Sequence, residues 1–466
     1  MTLIRSISGI RGTIGGAPGE GLSPLDVVRY TAAFGQLMKQ AAGKARPKAV
    51  IGRDARPSGP MVADLVRGTL VGLGYEVIDL GLATTPTVEM AVAGERADAG
   101  VILTASHNPK QWNALKLLNA NGEFISAEQG AEVLRLAESG AIEFAPVDAL
   151  GSVRSDDSWA GKHIAAILKL DLVDAKAIAA RKFKVVVDAV NSVGGIAVPR
   201  LLEALGVEVV KLYCEPNGQF PHNPEPLPEH LTDLCAAVVE HKAHAGISVD
   251  PDVDRLALVC EDGSLFGEEY TLVACADHVL AHRPGDTVSN LSSTRALDDV
   301  AARHGRKRFA SAVGEVNVVE LMRKVKAPIG GEGNGGVILG ELHYGRDALA
   351  GIALFLTLLA KRGVRTSELR RSYPDYFISK NKVELKPGMD VQALVDAMQQ
   401  RYQDRPHSTV DGLRIEFGNE WVHLRKSNTE PIVRIYAESN TAEKADALAK
   451  RIMGEMSELA GVAAEN

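Results

Sequence analysis

One pattern occurs twice in this chain and constrains it more than any other feature. Lys48-Ala49-Val50-Ile51 is a short apolar run ending in the polar turn Gly52-Arg53-Asp54-Ala55-Arg56-Pro57. From Met61 to Leu73, apolar residues recur at Val62, Leu65, Val66, Leu70 and Leu73, the spacing of one helix face. Gly74 stops that helix, and Glu76-Val77-Ile78-Asp79-Leu80 alternates as a strand does. The same order returns as a strand from Lys184 to Ala189, a helix through Val198 to Leu205, Gly206, and a strand from Val207 to Leu212. A weaker third copy begins at Thr287-Val288-Ser289-Asn290-Leu291, with a helix through Leu297 to Arg303. Units of this kind bury helices against a sheet, so the chain is expected to hold related α/β domains with mixed or parallel sheets. The units are too long and too degenerate for a solenoid.

Between the copies, Thr85-Pro86 opens a helix, with Thr85 as N-cap and Pro86 at its first position, and Gly100-Val101-Ile102-Leu103 reads as a strand. The C-terminal part changes style. Leu413 to Phe417 alternates, Trp421 to Leu424 pairs with it across a Gly-Asn turn, Ile432 to Tyr436 is a third strand, and a helix runs from Ala442 to Leu459. That is a small α+β domain. Boundaries are expected near 150, 260 and 370, giving segments 1–150, 151–260, 261–370 and 371–466.

Length and charge narrow the classes. By length alone, 466 residues suggest about three domains. With 52 Lys+Arg against 59 Asp+Glu, the net charge of -7 gives no global electrostatic reason to bind nucleic acid or acidic membranes. Met1 to Ser6 has no apolar signal-peptide core. The longest uncharged apolar stretch, Ala348 to Ala360, is too short for a membrane span and reads as a buried helix. Cys214, Cys235, Cys260 and Cys275 have neither zinc-site nor disulfide spacing, and are expected to be buried free thiols of a cytoplasmic protein.

Four polar segments interrupt the apolar runs. Thr104-Ala105-Ser106-His107-Asn108-Pro109 follows a buried strand, which suits Ser106 as a nucleophile or phosphate carrier; an Asn-Pro turn capped by Ser106 and His107 is the alternative. Asp250-Pro251-Asp252-Val253-Asp254-Arg255 lies between two apolar strands. Carboxylates at i, i+2 and i+4 of an extended segment point the same way, and packing three anions is costly unless a hard cation neutralises them. All-oxygen ligation favours Mg²⁺ over zinc; a solvated acidic turn is the alternative. The run from Gly330 to Gly336 lets backbone approach a ligand closely, and Glu332 and Asn334 are spaced to bond neighbouring sugar hydroxyls, although for this segment alone a glycine-rich hairpin is the favoured reading. Arg425-Lys426-Ser427-Asn428-Thr429-Glu430-Pro431, with Arg434 beyond, offers what a phosphate dianion needs; a charged β-turn is the alternative. Together these parts suit phosphoryl transfer on a sugar phosphate.

With the four segments in this order, the whole chain resembles the α-D-phosphohexomutase superfamily of phosphoglucomutases, phosphomannomutases and phosphoglucosamine mutases. The resemblance implies three related α/β domains and a smaller α+β domain around a central cleft. In turn they would supply a phosphoserine loop, a metal loop, a sugar loop and a phosphate loop. It implies that Ser106 carries a phosphoryl group, with His107 beside it, Lys116 as general acid/base and Arg11 at the rim. Asp250, Asp252 and Asp254 match the Mg²⁺ ligands, with a phosphoserine oxygen from Ser106 completing the shell, and Arg255 would offset charge at the transferring group. Glu332 and Asn334 fall in the sugar loop; Arg425, Ser427, Asn428 and Thr429, with Arg434, match the distal-phosphate site. The implied reaction interconverts hexose 6-phosphate and hexose 1-phosphate through a hexose 1,6-bisphosphate. Small-molecule sugar phosphates are the expected partners, with no nucleic acid and no membrane, and the chain is expected to be a monomer or homodimer.

The sequence also departs from that pattern. Many relatives have Glu-x-Ser-Gly-His in the sugar loop, whereas here Asn334 replaces the Ser and Gly336 stands where the His would be. A Gly-His pair common in the third domain is Gly314-Glu315 here. Glu315, His343 or the Arg346-Asp347 pair are candidates for the missing polar contacts, with surface salt bridging the alternative for the last. The loop resembles an archaeal-type phosphoglucosamine mutase subgroup, which tilts the expected substrate to glucosamine phosphate, with phosphoglucomutase/phosphomannomutase second. A non-catalytic sugar-phosphate-binding protein and a Mg²⁺-dependent sugar phosphatase are further readings; Ser106, the three Asp residues and Lys116 argue against the first of these.

Overall fold

The computed structural model describes residues 1–6, 9–384, 390–426 and 432–459. Its first three sheets share one plan. A first strand leads through a helix to a second, parallel strand. A further helix leads to a third strand, parallel to the first on its other side, and a fourth strand returns antiparallel along the third. The four strands are Lys48–Arg53, Glu76–Leu82, Ala99–Leu103 and Trp112–Leu118 in the first repeat. They are Lys184–Asp188, Glu208–Leu212, Ala245–Val249 and Leu256–Cys260 in the second, and Thr287–Asn290, Arg308–Ser311, Ile329–Glu332 and Gly336–Leu339 in the third. Their spatial order is fourth, third, first, second every time. The third strands of the first two repeats are buried from end to end, because helices cover both faces of such a sheet.

The first sheet is the widest. Leu3–Ser6 and Gly9–Thr13 extend it beyond its fourth strand, and Ser152–Ser155 pairs parallel with Glu76–Leu82 at the other edge. That last strand lies past residue 150, where the first segment was expected to end. The second and third repeats share one apolar core. Helix Ala348–Arg362, buried from Ala348 to Leu359, runs through it, and Phe355 meets Phe266 edge to face at 5.2 Å. The apolar stretch from Ala348 is therefore a buried helix, as its length required. Among the described residues, no helix is long and apolar enough to cross a membrane. All four cysteines are free; Cys260 and Cys275 are buried as expected, whereas Cys214 and Cys235 are partly exposed, which corrects the expectation for those two.

The fourth sheet is antiparallel, in the order Phe377–Glu384, Ile432–Ser439, Trp421–Lys426, Leu413–Glu416 and His407–Ser408. Helices Val391–Arg401 and Ala442–Leu459 contribute its core. One local expectation needs correcting. The N-cap of helix Thr85–Gly94 is Thr84, whose side chain accepts from the Thr87 amide. Thr85 already has a helical position, which frees its hydroxyl for a contact in the site.

Candidate active site

The connection from the third strand to the fourth carries one polar segment in each repeat. Ser106 follows Ala99–Leu103, the three aspartates follow Ala245–Val249, and Glu332 ends Ile329–Glu332. Ligands of open α/β sheets bind at the carboxyl ends of parallel strands. Here Ser106, Arg255 and Glu332, one from each loop, line a single cavity of about 1080 Å³, and Arg425 and Arg434 of the fourth sheet line it too.

Ser106 has φ 49°, in the left-handed region that residues with a Cβ seldom enter. Its Oγ donates to Asp250 Oδ2 at 2.7 Å. Arg56 holds this loop in shape. Fully buried, it pairs with Asp54 at 3.0 Å and donates to the carbonyls of Ser106, Asn108, Pro109 and Trp112 at 2.5, 2.6, 2.6 and 3.0 Å. The planar guanidinium thus binds four carbonyls of the turn at once. Arg11 reaches the same loop through Asn108 Oδ1 at 3.1 Å. His107 lines the cavity, its Nε2 3.9 Å from Glu225 Oε1. Burial, then Arg255 and Arg11, lower its imidazole to about 2, so it is neutral.

The three aspartates are fully buried, and their side-chain oxygens converge within 4.8 Å. Asp252 and Asp254 are each hydrogen-bonded through one oxygen, and Asp250 through both, its Oδ2 taking the Ser106 hydroxyl. Asp252 Oδ2 accepts from Thr85 Oγ1 and from Lys116 Nζ, both at 2.6 Å. Asp254 Oδ2 accepts from Arg346 at 2.7 Å and Lys116 at 3.3 Å. Asp250 Oδ1 accepts from the amides of Asp254 and Arg255, both at 3.2 Å. The Oδ1 atoms of Asp252 and Asp254 have no hydrogen-bond partner although both are buried, Arg255 Nε lying 3.9 Å from that of Asp254. Orphaned carboxylate oxygens beside Asp250 Oδ2 and Ser106 Oγ fit a hard divalent cation, which would satisfy all of them at once. Without one, burial and its two acidic neighbours push the Asp250 carboxyl well up. Burial also works against charge on Asp252, yet Lys116 and Thr85 hold it well below the usual carboxylate range. Burial opposes the Lys116 ammonium too, and Asp252 and Asp254 outweigh it, so Lys116 lies above its ordinary value.

In the sugar loop, Glu332 Oε1 accepts from Asn290 Nδ2 at 2.9 Å and the Gly314 amide at 3.0 Å, and Oε2 accepts from Arg346 at 2.9 Å. Asn334 is within 3.4 Å of the same oxygen. Gly333 is small for a reason: a Cβ there would lie 2.0 Å from Oε2 of Glu269, whose carboxyl lines the cavity. Glu315 faces Arg346 at 3.0 Å, and Arg346 and Asp347 are both buried, which removes the surface-salt-bridge alternative.

On the fourth sheet, Arg425 lies directly opposite Arg434, and Arg434 opposite Lys382, so three cations form a row on one face. Like charges in cross-strand register repel and favour an anion beside them. Asp411 faces Arg425 at 3.1 Å and Glu384 faces Lys382 at 3.3 Å, and among the described residues no ion pair is formed by Arg434. Ser427, Asn428 and Thr429 lie outside the described residues.

Sequence reasoning missed Arg56, Thr85, Asn290 and Glu269. Arg56 stood in a polar turn already noted after the first strand, and Thr85 beside Pro86; nothing local distinguished either from ordinary turn chemistry.

The chain matches four domains of one family in order. They are phosphoglucomutase/phosphomannomutase alpha/beta/alpha domain I over residues 3–142, domain II over 162–263, domain III over 267–376 and the C-terminal domain over 382–455. A phosphoglucomutase/phosphomannomutase of Thermococcus kodakarensis is 36% identical over 440 residues, 93% of this chain and 95% of the relative. A probable phosphoglucosamine mutase of Methanopyrus kandleri is 33% identical over 445 residues, 94% of each chain. The crystal structure of a phosphoglucomutase/phosphomannomutase family protein from Burkholderia thailandensis matches 99% of this chain and 98% of its own with a TM-score of 0.86, at 28% identity. With four matched domains and relatives aligned along nearly its whole length, this chain belongs to the phosphoglucomutase/phosphomannomutase family of the α-D-phosphohexomutase superfamily, a superfamily of mutases.

Proposed function

We propose that the protein interconverts hexose 6-phosphates and hexose 1-phosphates through a phosphoryl group carried on Ser106 and a hexose 1,6-bisphosphate, with glucosamine 6-phosphate the preferred hexose. One observation carries the reading: Ser106 Oγ, on the wall of a cavity reached by all four sheets, meets Asp250 beside two carboxylates with unpartnered oxygens. Mg²⁺ held by Asp250, Asp252 and Asp254 would neutralise charge at the transferring phosphoryl group when bound.

The chain's own groups then have these roles. The C1 hydroxyl oxygen of a hexose 6-phosphate attacks the phosphorus on Ser106. Its bond to phosphorus forms as the Ser106 Oγ–phosphorus bond breaks, and the hydroxyl proton passes by way of Lys116 to Oγ. Arg255 and Arg11 offset charge on the transferring group. Glu332 and Asn334 hold sugar hydroxyls, with the Asn334–Glu332 contact giving way to them. Arg425 and Arg434, which line the same cavity, hold whichever phosphate is distal. After the bisphosphate turns end for end, the 6-phosphoryl group returns to Ser106 and hexose 1-phosphate leaves.

The choice of glucosamine is supported by the loop from Gly331 to Gly336 and by the name of the Methanopyrus kandleri relative. The name of the Thermococcus kodakarensis relative supports glucose and mannose phosphates as the second reading. A coupled assay comparing kcat/KM for glucosamine 6-phosphate, glucose 6-phosphate and mannose 6-phosphate decides between them. The highest value is expected for glucosamine 6-phosphate. Free phosphate as the main product would replace the mutase reading with a phosphatase, and no turnover of any sugar would favour a binding protein.

A further inference from the structure

Position 336 is where the family's sugar-loop pattern places histidine, and here it is glycine. The backbone does not require it, because Gly336 is absent from the positive-φ glycines among the described residues. What keeps the position small is Arg346. A Cβ on Gly336 would lie 2.3 Å from Cδ of Arg346 and 3.0 Å from its Cγ. The arginine stem already fills the volume through which a histidine at 336 would enter.

Its guanidinium then joins two loops. Nη2 donates to Asp254 Oδ2 at 2.7 Å, Nη1 to Glu332 Oε2 at 2.9 Å, and Nε to Glu315 Oε2 at 3.0 Å. The side chain is 10% exposed and lines the cavity. Occupying Asp254 Oδ2 leaves Oδ1 as the oxygen without a hydrogen-bond partner. Fixing Glu332 Oε2 orients the carboxylate of the sugar loop. The next residue anchors the hub: Asp347 Oδ2 meets His163 Nε2 at 2.8 Å and His343 Nε2 at 3.2 Å, and its Oδ1 caps helix Ala348–Arg362. A lysine has one nitrogen and no fork, so it cannot serve three carboxylates in this geometry.

We propose that Arg346 is a positioning residue that takes the place of the histidine missing at 336 and links the carboxylate loop of the second repeat to the sugar loop of the third, so that one guanidinium sets both cation affinity and sugar affinity. The sugar half rests on the mutase reading; the cation half does not.

A residue swap tests it. Gly336→His, Arg346→Ala, Arg346→Lys and the double variant Gly336→His/Arg346→Ala are compared for Mn²⁺ affinity by calorimetry, and for kcat and KM on the sugar phosphate that the wild type turns over best. Arg346→Ala is expected to weaken Mn²⁺ binding by about 10–100-fold, the usual effect of removing a group that orients a metal ligand, and to raise KM. Arg346→Lys should resemble Arg346→Ala rather than the wild type, and it carries the same comparison if the alanine variant does not fold. Gly336→His should be damaging alone and at least about tenfold less damaging, in kcat/KM, when Arg346 is alanine, because residues sharing one volume are not additive. Wild-type Mn²⁺ affinity and KM in Arg346→Ala or Arg346→Lys, or additive losses in the double variant, would overturn the proposal. If the wild type turns over no hexose phosphate, the mutase reading fails and the Mn²⁺ comparison alone decides the cation half.

Discussion

Ser106 Oγ and Asp250 Oδ2 lie 2.7 Å apart, although 144 residues separate them in the chain. They meet because each sits in the same connection of its own repeat, after the third strand of a sheet with the same strand order. The Ser106 loop is shaped by Arg56, and the aspartate loop is held from both sides. Thr85 and Lys116 of the first repeat grip Asp252, and Arg346 of the third grips Asp254.

Arg56→Lys should damage the serine loop without touching a reacting atom. Lysine keeps the charge but cannot serve four carbonyls and Asp54 together. The expected loss is about 1–3 kcal/mol of stability, the cost of leaving a buried acceptor unsatisfied, with a fall in kcat larger than any change in KM. Urea unfolding and steady-state kinetics of the variant check both.

Lys116→Met leaves Asp252 and Asp254 buried with a counter-charge removed. A loss of about 3–5 kcal/mol is expected in the absence of divalent cation. Saturating Mg²⁺ should recover part of it, because the cation compensates the same carboxylates. Denaturant midpoints with EDTA and with Mg²⁺ measure the difference.

Cation binding should itself stabilise the fold. At a Mg²⁺ concentration a hundred times Kd the expected gain is about 2.7 kcal/mol, and chelation should reverse it together with activity. In Asp252→Asn the shift in Tm should be much smaller, since an amide oxygen replaces a carboxylate among the ligands. Thermal scans across a Mg²⁺ titration report this directly.

Much of the layout was legible in the sequence. Apolar periodicity marked the strand–helix–strand start of each repeat, and the polar composition of four segments marked the site. The equivalence of the three loops was not legible, because loops around Ser106, Asp252 and Glu332 carry different chemistry and share no residues; only strand order relates them. Arg56 and Thr85 were hidden for a related reason. Each acts through partners distant in the chain, as with Thr85 and Asp252, 167 residues apart. Burial, which local sequence does not report, is what turned Arg346-Asp347 from a surface pair into the junction of two loops.

Acid sensitivity should come partly from His278, buried with Nε2 2.8 Å from the Leu172 carbonyl. Burial lowers this imidazole to about 4. The unfolded chain protonates it below about 6.5, so between these values the unfolded state binds more protons and stability falls as pH falls. His278→Asn cannot titrate there, and its Tm should drop less between pH 7 and pH 5 than that of the wild type.

The central claim is that Ser106 carries the phosphoryl group. Its most direct test is intact mass after incubation with a hexose 1,6-bisphosphate and Mg²⁺, run beside the coupled mutase assay, for the wild type and Ser106→Ala. The wild type should gain one phosphoryl group and turn over. The variant should gain none and lose about a thousandfold or more in kcat, as expected when a nucleophile is removed. A Ser106→Ala protein that is still phosphorylated, or that turns over at the wild-type rate, would contradict the account.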